Sequence, residues 1–355
     1  MLHKFARIAR TFFDSEKKYI LLLLLTLICA VFSYINHPEP EPVASPSVNV
    51  LEQRAILLQE TLKTPAGWIE LFEQKPSAAC AWIVMLTVFF GLFGGGIIYL
   101  IGLLFVPRLK KWFEIPGTSF ATLPPYLFFR VSTLLAAMIV SLNILITVLP
   151  EPAAHYEHAF MIFQTLLIDL IACVVIFKVL REAGDRTELA PKLSMGESFA
   201  EVGRGIAGYV ATFPVFIGVL LAALAISALL KIEPPAHPIV EIFVEEETRS
   251  PFTFYAALLL AAIGAPIMEE IFFRGFCYRF FRIRWGMAAG AGISAAFFAA
   301  LHGSGFAFAP IFVLGLSLAL LYEKRHSLIA CWTFHIMHNI LFTAYFFVLK
   351  ALLDI

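Results

Sequence analysis

An all-α fold, a polytopic membrane helical bundle of about eight to nine transmembrane helices, is predicted from the composition, the long apolar runs and the loop charges. Of 355 residues, 60% are hydrophobic and 15% charged, against about 45–50% and about 25% in soluble domains. No segment shows strand-like alternation, and no internal repeat is visible. The formal net charge of +0 gives no reason to expect a nucleic-acid partner. Five cysteines (Cys29, Cys80, Cys173, Cys277 and Cys331) lie in apolar segments without a CxxC and read as buried thiols.

Taken in order, residues 1–77 form an N-terminal part. A basic start precedes Tyr19–Ile35, an apolar run of about 17 residues near the minimum for crossing a bilayer. It lacks a clean A-x-A site and reads as an uncleaved anchor. His37–Asn49, rich in Pro, Glu and Ser, reads as a flexible linker, and Val50–Leu62 as a short interfacial helix. Residues 78–251 carry generic spans at about Ala79–Val106, Phe128–Leu149, Phe160–Val179 and Ile206–Leu230. Residues 252–350 hold spans at about Phe252–Phe281, Met287–Leu301, Phe308–Tyr322 and Leu328–Leu349. The anchor brings the total to nine candidates.

Loop charges set an expected orientation. Arg108, Lys110, Lys111, Arg181, Arg186, Lys192, Arg204, Arg282, Arg284, Lys324 and Arg325 fall between alternate spans, whereas Glu39, Glu41, Glu151, Glu157 and Glu245–Glu247 fall on the other side. The positive-inside rule then places the N-terminus in the cytoplasm and the C-terminus outside. Trp82, Tyr99, Trp112, Tyr126, Trp285 and Tyr322 read as interfacial anchors.

Chemistry concentrates in the last third. Glu269 and Glu270 are adjacent in an apolar segment, where an ionised carboxylate costs roughly 2.5–3.5 kcal/mol on insertion scales. Glu270 and Arg274 are at i and i+4 and share a helix face, which predicts an ion pair. Glu269 lies about 100° round the helix and lacks that partner. One carboxylate held and one free suits general-base chemistry. His302 ends span seven, and span nine holds His335, His338 and Asn339, with His335 and Asn339 at i and i+4. A carboxylate assisted by an imidazole can take a proton from water, and His and Asn can stabilise an oxyanion, which together would hydrolyse an amide. The alternative is a zinc set of Glu269, His302 and His335, although the HExxH signature is absent. Glycines 286, 290, 292, 303, 305 and 315 would let the late helices approach closely. Asp169 and His338 read as structural polar groups. With span seven starting near Gly286, His302 would lie ~24 Å across the membrane and His335 only ~12 Å in. Convergence therefore needs tilt, or a span that begins within the protein.

Glu269-Glu270-x-x-x-Arg274, Phe298-x-x-x-His302 and His335-x-x-x-Asn339, in that order, resemble the three motifs of the CPBP intramembrane proteases. That family includes CAAX prenyl endopeptidases and bacteriocin-processing or immunity proteins of the abortive-infection type. The resemblance covers about Phe252–Leu349. It implies an intramembrane endopeptidase in which Glu269 activates water with help from His302, while His335 and Asn339 hold the oxyanion. Glu270 and Arg274 would be a supporting pair. It implies no cofactor, zinc being the alternative, and a peptide or protein substrate that could be lipidated, with membrane lipid as the other partner. The expected location is a bacterial inner membrane. Two other classes remain as alternatives: a non-catalytic immunity or scaffold protein, and a proton-coupled transporter in which buried acids and histidines relay protons.

Overall fold

The computed structural model describes residues 15–31, 53–54, 60, 63–112, 123–148, 156–182, 194–231 and 238–353. Among them every regular element of more than two residues is helical, as expected for a membrane bundle. The helices are α1 (residues 15–31), α2 (Pro65–Gln74), α3 (Pro76–Phe105), α4 (Pro107–Trp112), α5 (Pro125–Val148), α6 (Glu157–Glu182) and α7 (Met195–Leu230). They are followed by α8 (Pro238–Arg249), the composite α9 (Pro251–Leu301), α10 (Gly305–Arg325) and α11 (Leu328–Leu353). Seven of these, α3, α5, α6, α7, α9, α10 and α11, are long and apolar enough to cross a membrane. The difference from nine has two sources. Spans six and seven are counted together as α9, although they part at a corner at Gly286 as the sequence places them, and α1 has only 17 described residues. The linker and nearly all of Val50–Leu62 lie outside the described residues.

The chain divides into two units, Met1–Val43 with Phe120–Arg186, and Ala44–Ser119 with Thr187–Ile355. In the first unit, α1 is tied to α5 by a two-pronged ion pair. Arg130 Nε and Nη2 lie 2.7 and 2.8 Å from Glu16 Oε2 and Oε1. The guanidinium also sits over Tyr19 and Tyr126, which favours a desolvated cation. Gln164 of α6 donates to Asn143 of α5 at 3.3 Å.

In the second unit, α7 starts at a capping box, Ser194 with Glu197, which satisfies two end donors. It packs against α3, α10 and α11. Two glycines permit the closest of these approaches. A Cβ on Gly205 would stand 2.5 Å from Ala330 O and 2.7 Å from Thr333 Cβ on α11. One on Gly96 of α3 would meet Val210 O at 2.3 Å. Pro214 supplies no N–H to that carbonyl, and its ring packs on the same glycine. Buried Glu201 joins α7 to α10 by accepting from Arg325 at 2.7 Å and from Arg204 at 2.8 Å. The cations Arg54 and Lys75 bond Leu353 O and Leu352 O, favourable at the negative end of α11.

α9 positions the site. Ser250 caps it and Pro251 starts it. It then runs α to Leu259, π over Leu260–Gly264, α over Ala265–Glu270, π over Ile271–Tyr278, and α over Arg279–Leu301. At Gly286 the backbone leaves the helix, with φ 81° and ψ 175°, a conformation that glycine adopts without steric cost. The two arms fold back on each other there. A Cβ on Gly290 would lie 2.7 Å from Arg282 Cα, Phe273 packs on Phe297 and Phe298, and Ser294 Oγ lies 3.4 Å from Phe273 O. This antiparallel register puts Glu269 and His302 at one level, each roughly five turns from the corner.

Three short helices were not anticipated: α2, α4 and α8. The third had a readable signal in Pro238, which starts a helix that buries Ile242 and Phe243, with Phe243 packed on Phe254, Phe346 and Phe347. The glycine expectation holds in part. Gly290 and Gly315 are tightly faced, whereas Gly292 and Gly305 have open space.

Overfilling the α7–α11 contact should be costly. Gly205→Leu is expected to destabilise the fold by about 1–3 kcal/mol or more, read as a lower melting temperature in detergent. Gly292→Ala should leave that temperature unchanged or slightly raised, because nothing stands within 4 Å of the added carbon.

Candidate active site

Glu270 is completely buried, and its Oε1 accepts two hydrogen bonds. Arg274 Nη1 donates at 2.9 Å, the i,i+4 pair expected from spacing, and His335 Nδ1 donates at 2.9 Å from α11. Arg274 is itself 1% exposed and passes its other arm to Gly315 O of α10 at 3.1 Å. Its guanidinium lies 4.8 Å over the Phe298 ring, an attraction that rises in a desolvated setting. Gly315 allows this approach, since a Cβ there would stand 3.1 Å from Phe298 Cδ1.

Glu269 differs from its neighbour. Its side chain keeps 29% exposure, and its nearest recorded partner is His335 Nε2, 3.8 Å from Oε2. His335, buried at 3%, therefore stands between the two glutamates. Because a carboxylate oxygen accepts, Nδ1 carries a hydrogen, and Nε2 faces Glu269.

His302 lies on the first residue after the last turn of α9, exposed and with Nδ1 2.8 Å from Phe298 O. A carbonyl only accepts, so Nδ1 donates and Nε2 keeps its lone pair. The Phe298 ring meets His302 at 4.7 Å and His335 at 5.8 Å, both near-perpendicular. Asn339 is half-buried and gives one amide hydrogen to Ala261 O at 2.8 Å. Glu269, Glu270, Arg274 and His335 are thus in contact, while His302 and Asn339 join them through Phe298 and the backbone of α9.

The depth mismatch between His302 and His335 has a structural answer. Glu323 of α10 bonds Tyr278 at 2.6 Å and Arg282 at 2.8 Å. The turn from α10 to α11 is therefore level with Tyr278, about two turns inside the Gly286 corner. His335, about two turns into α11, then reaches the level of Glu270.

Several contributors were not read from the sequence. Trp332 donates from Nε1 to Ile267 O at 3.1 Å, and Phe298 and Gly315, named in the sequence for a motif and for close packing, take the further role of holding the arginine. Trp332 has a signal after the fact, since it shares a face with His335 and Asn339. His338 turns away into an aromatic group, with Nδ1 3.5 Å from Tyr209 Oη and its ring on Phe216 and Phe342. Asp169 lies on α6 in the first unit. Among the described residues no three His, Cys, Asp or Glu side chains are gathered to hold a metal ion. Both histidines direct Nδ1 to protein oxygens, which leaves Nε2 as the nitrogen that faces the site.

Removing one partner of the buried pair leaves a charge unpaired at about 3–5 kcal/mol. Glu270→Gln and Arg274→Ala are each expected to reduce the yield of folded protein and its detergent melting temperature.

No curated protein and no solved structure matches the chain. Residues 251–341 match the family model described as type II CAAX prenyl endopeptidase Rce1-like. That segment runs from the first turn of α9 into α11 and contains each residue placed around Glu270. Over that segment the chain is similar to the type II CAAX prenyl endopeptidases of the Rce1-like family, which supports a place among the CAAX-type membrane proteases.

Proposed function

We propose that the protein is an intramembrane endopeptidase in which Glu269 activates water. The observation that carries this is the contrast between two adjacent carboxylates: Glu270 is buried with its Oε1 held by Arg274 and His335, whereas Glu269 is partly exposed and faces an imidazole. Water bound to Glu269 gives up a proton as its oxygen attacks the substrate carbonyl. His302 Nε2, an acceptor because Nδ1 is committed, takes the water's other hydrogen as a hydrogen bond and orients it. The C–N bond then breaks, and Glu269 returns its proton to the leaving amine.

The oxyanion needs donors. The second amide hydrogen of Asn339 is one. His335 becomes another when its ring carries both hydrogens, a charge that Glu270 balances through Nδ1. The chemistry uses these side chains and requires no metal. The proposed substrate is a peptide or protein held at the membrane, and a prenylated peptide of the kind named by the family is the first to try. The proposed orientation has the N-terminus in the cytoplasm, in a bacterial inner membrane.

Glu269→Gln should abolish cleavage of a quenched peptide library while leaving expression and melting temperature unchanged. Substantial turnover by that variant would remove Glu269 from the role. A protein that melts normally but cuts nothing in its native form would favour a scaffold instead. Exhaustive chelation is expected to leave cleavage intact with no stoichiometric zinc, whereas activity lost and then restored by zinc would overturn the metal-free mechanism. Reporter fusions at Ile355 should signal the outer face; a cytoplasmic signal there would mean that the span count is wrong.

A further inference from the structure

The reason for a polar residue at position 339 lies as much in the backbone of α9 as in any substrate. Over Leu260–Gly264 the helix is wound in π register, and the Ala265 N–H donates to Leu260 O, five residues back. In α register that N–H would have gone to Ala261 O. The next candidate, residue 266, would serve Ala261 O in π register, but it is proline and has no N–H. Ala261 O is thereby denied both of its helical donors, and an unpaired carbonyl inside a bilayer is costly. Asn339 Nδ2 supplies the hydrogen bond at 2.8 Å.

This contact sits immediately before the single α-helical stretch, Ala265–Glu270, that bears Glu269. At the far end of that stretch, His335 holds Glu270, and Trp332 holds Ile267 O in between. One side of α11 thus grips the glutamate turn at three places, and Asn339 is the grip at its entry.

We propose that Asn339 is a positioning residue for Glu269. It stabilises the π-to-α change of register by pairing the carbonyl that Pro266 leaves without a donor. This role rests on the protease reading above and is separate from any hydrogen bond that Asn339 makes to an oxyanion. Loss of the contact lets Ala261–Pro266 re-wind, which turns and shifts Glu269 relative to His302 and His335.

Pro266→Ala separates the two roles, because it restores an N–H that can reach Ala261 O without Asn339. The test is a double-mutant cycle of Asn339→Ala and Pro266→Ala on the full chain in detergent, with kcat, KM and melting temperature measured for all four proteins. Asn339→Ala alone is expected to lower kcat by roughly 10²-fold, as small misplacements of a reacting group do, with little change in KM. Pro266→Ala alone should leave kcat near that of the native protein. In the double variant, kcat should recover about tenfold over Asn339→Ala, and the melting temperature should rise with it. Independent effects, with no recovery of either quantity, would overturn the proposal and leave Asn339 to the oxyanion alone. If the native protein cleaves nothing, the protease reading fails. The melting-temperature cycle would still decide the Asn339–Ala261 contact, for which coupling is support and its absence is refutation.

Discussion

A single carboxylate oxygen, Glu270 Oε1, organises the last three helices. It accepts from Arg274 on its own helix and from His335 on α11, and Arg274 reaches on to Gly315 O of α10. In a medium without water each of these groups would be expensive alone, so each constrains the position of the next. The arrangement resists a partial version of itself. Moving α10 away strands a guanidinium arm, and moving α11 away strands an imidazole hydrogen. Small residues make it reachable: Gly315 admits Phe298 and the arginine, and Gly205 brings α7 onto α11 from the other side.

The backbone of α9 solves a second problem, that of depth. Three side chains distant in sequence must meet at one level although they start from different points on their helices. The Gly286 corner lets the two arms of α9 run antiparallel, which matches Glu269 to His302. The Glu323 contacts with Tyr278 and Arg282 recess the α10–α11 turn, so His335 arrives at the same level after only about two turns. No tilt of a single span is required.

What was legible in the sequence follows from the range of each interaction. Apolar runs marked the long helices, and the i,i+4 spacing of Glu270 and Arg274 marked their pair, because both are local patterns. The break between spans six and seven was legible too, since the sequence starts span seven at Met287 and the chain turns its corner at Gly286. The π segments were hidden, because a change of helical register has no local spacing pattern of its own. The bond from His335 to Glu270 joins residues 65 apart, and that from Arg325 to Glu201 joins residues 124 apart. Arg204, Arg282 and Arg325 had been counted as loop cations. They are helix residues paired with Glu201 and Glu323, so their charge serves packing. The role read for His335 also gained a condition: with Nδ1 on Glu270, its other nitrogen donates only when the ring carries both hydrogens.

Two adjacent glutamates in an apolar helix would be a liability if both faced the same surroundings, since like charges so close disfavour double ionisation. The α-helical turn between two π segments separates their surroundings by a step of about 100°. One carboxylate points into a closed set of donors and is 0% exposed, and the other points toward the open side at 29%. The buried one then acts on the exposed one through His335, which it orients. The α-helical turn between the π segments is bonded to α11 at the carbonyls of Ala261 and Ile267. The different exposure of the two glutamates therefore goes with the backbone register around them, and the polar face of α11 at Trp332, His335 and Asn339 bonds to that stretch at three places.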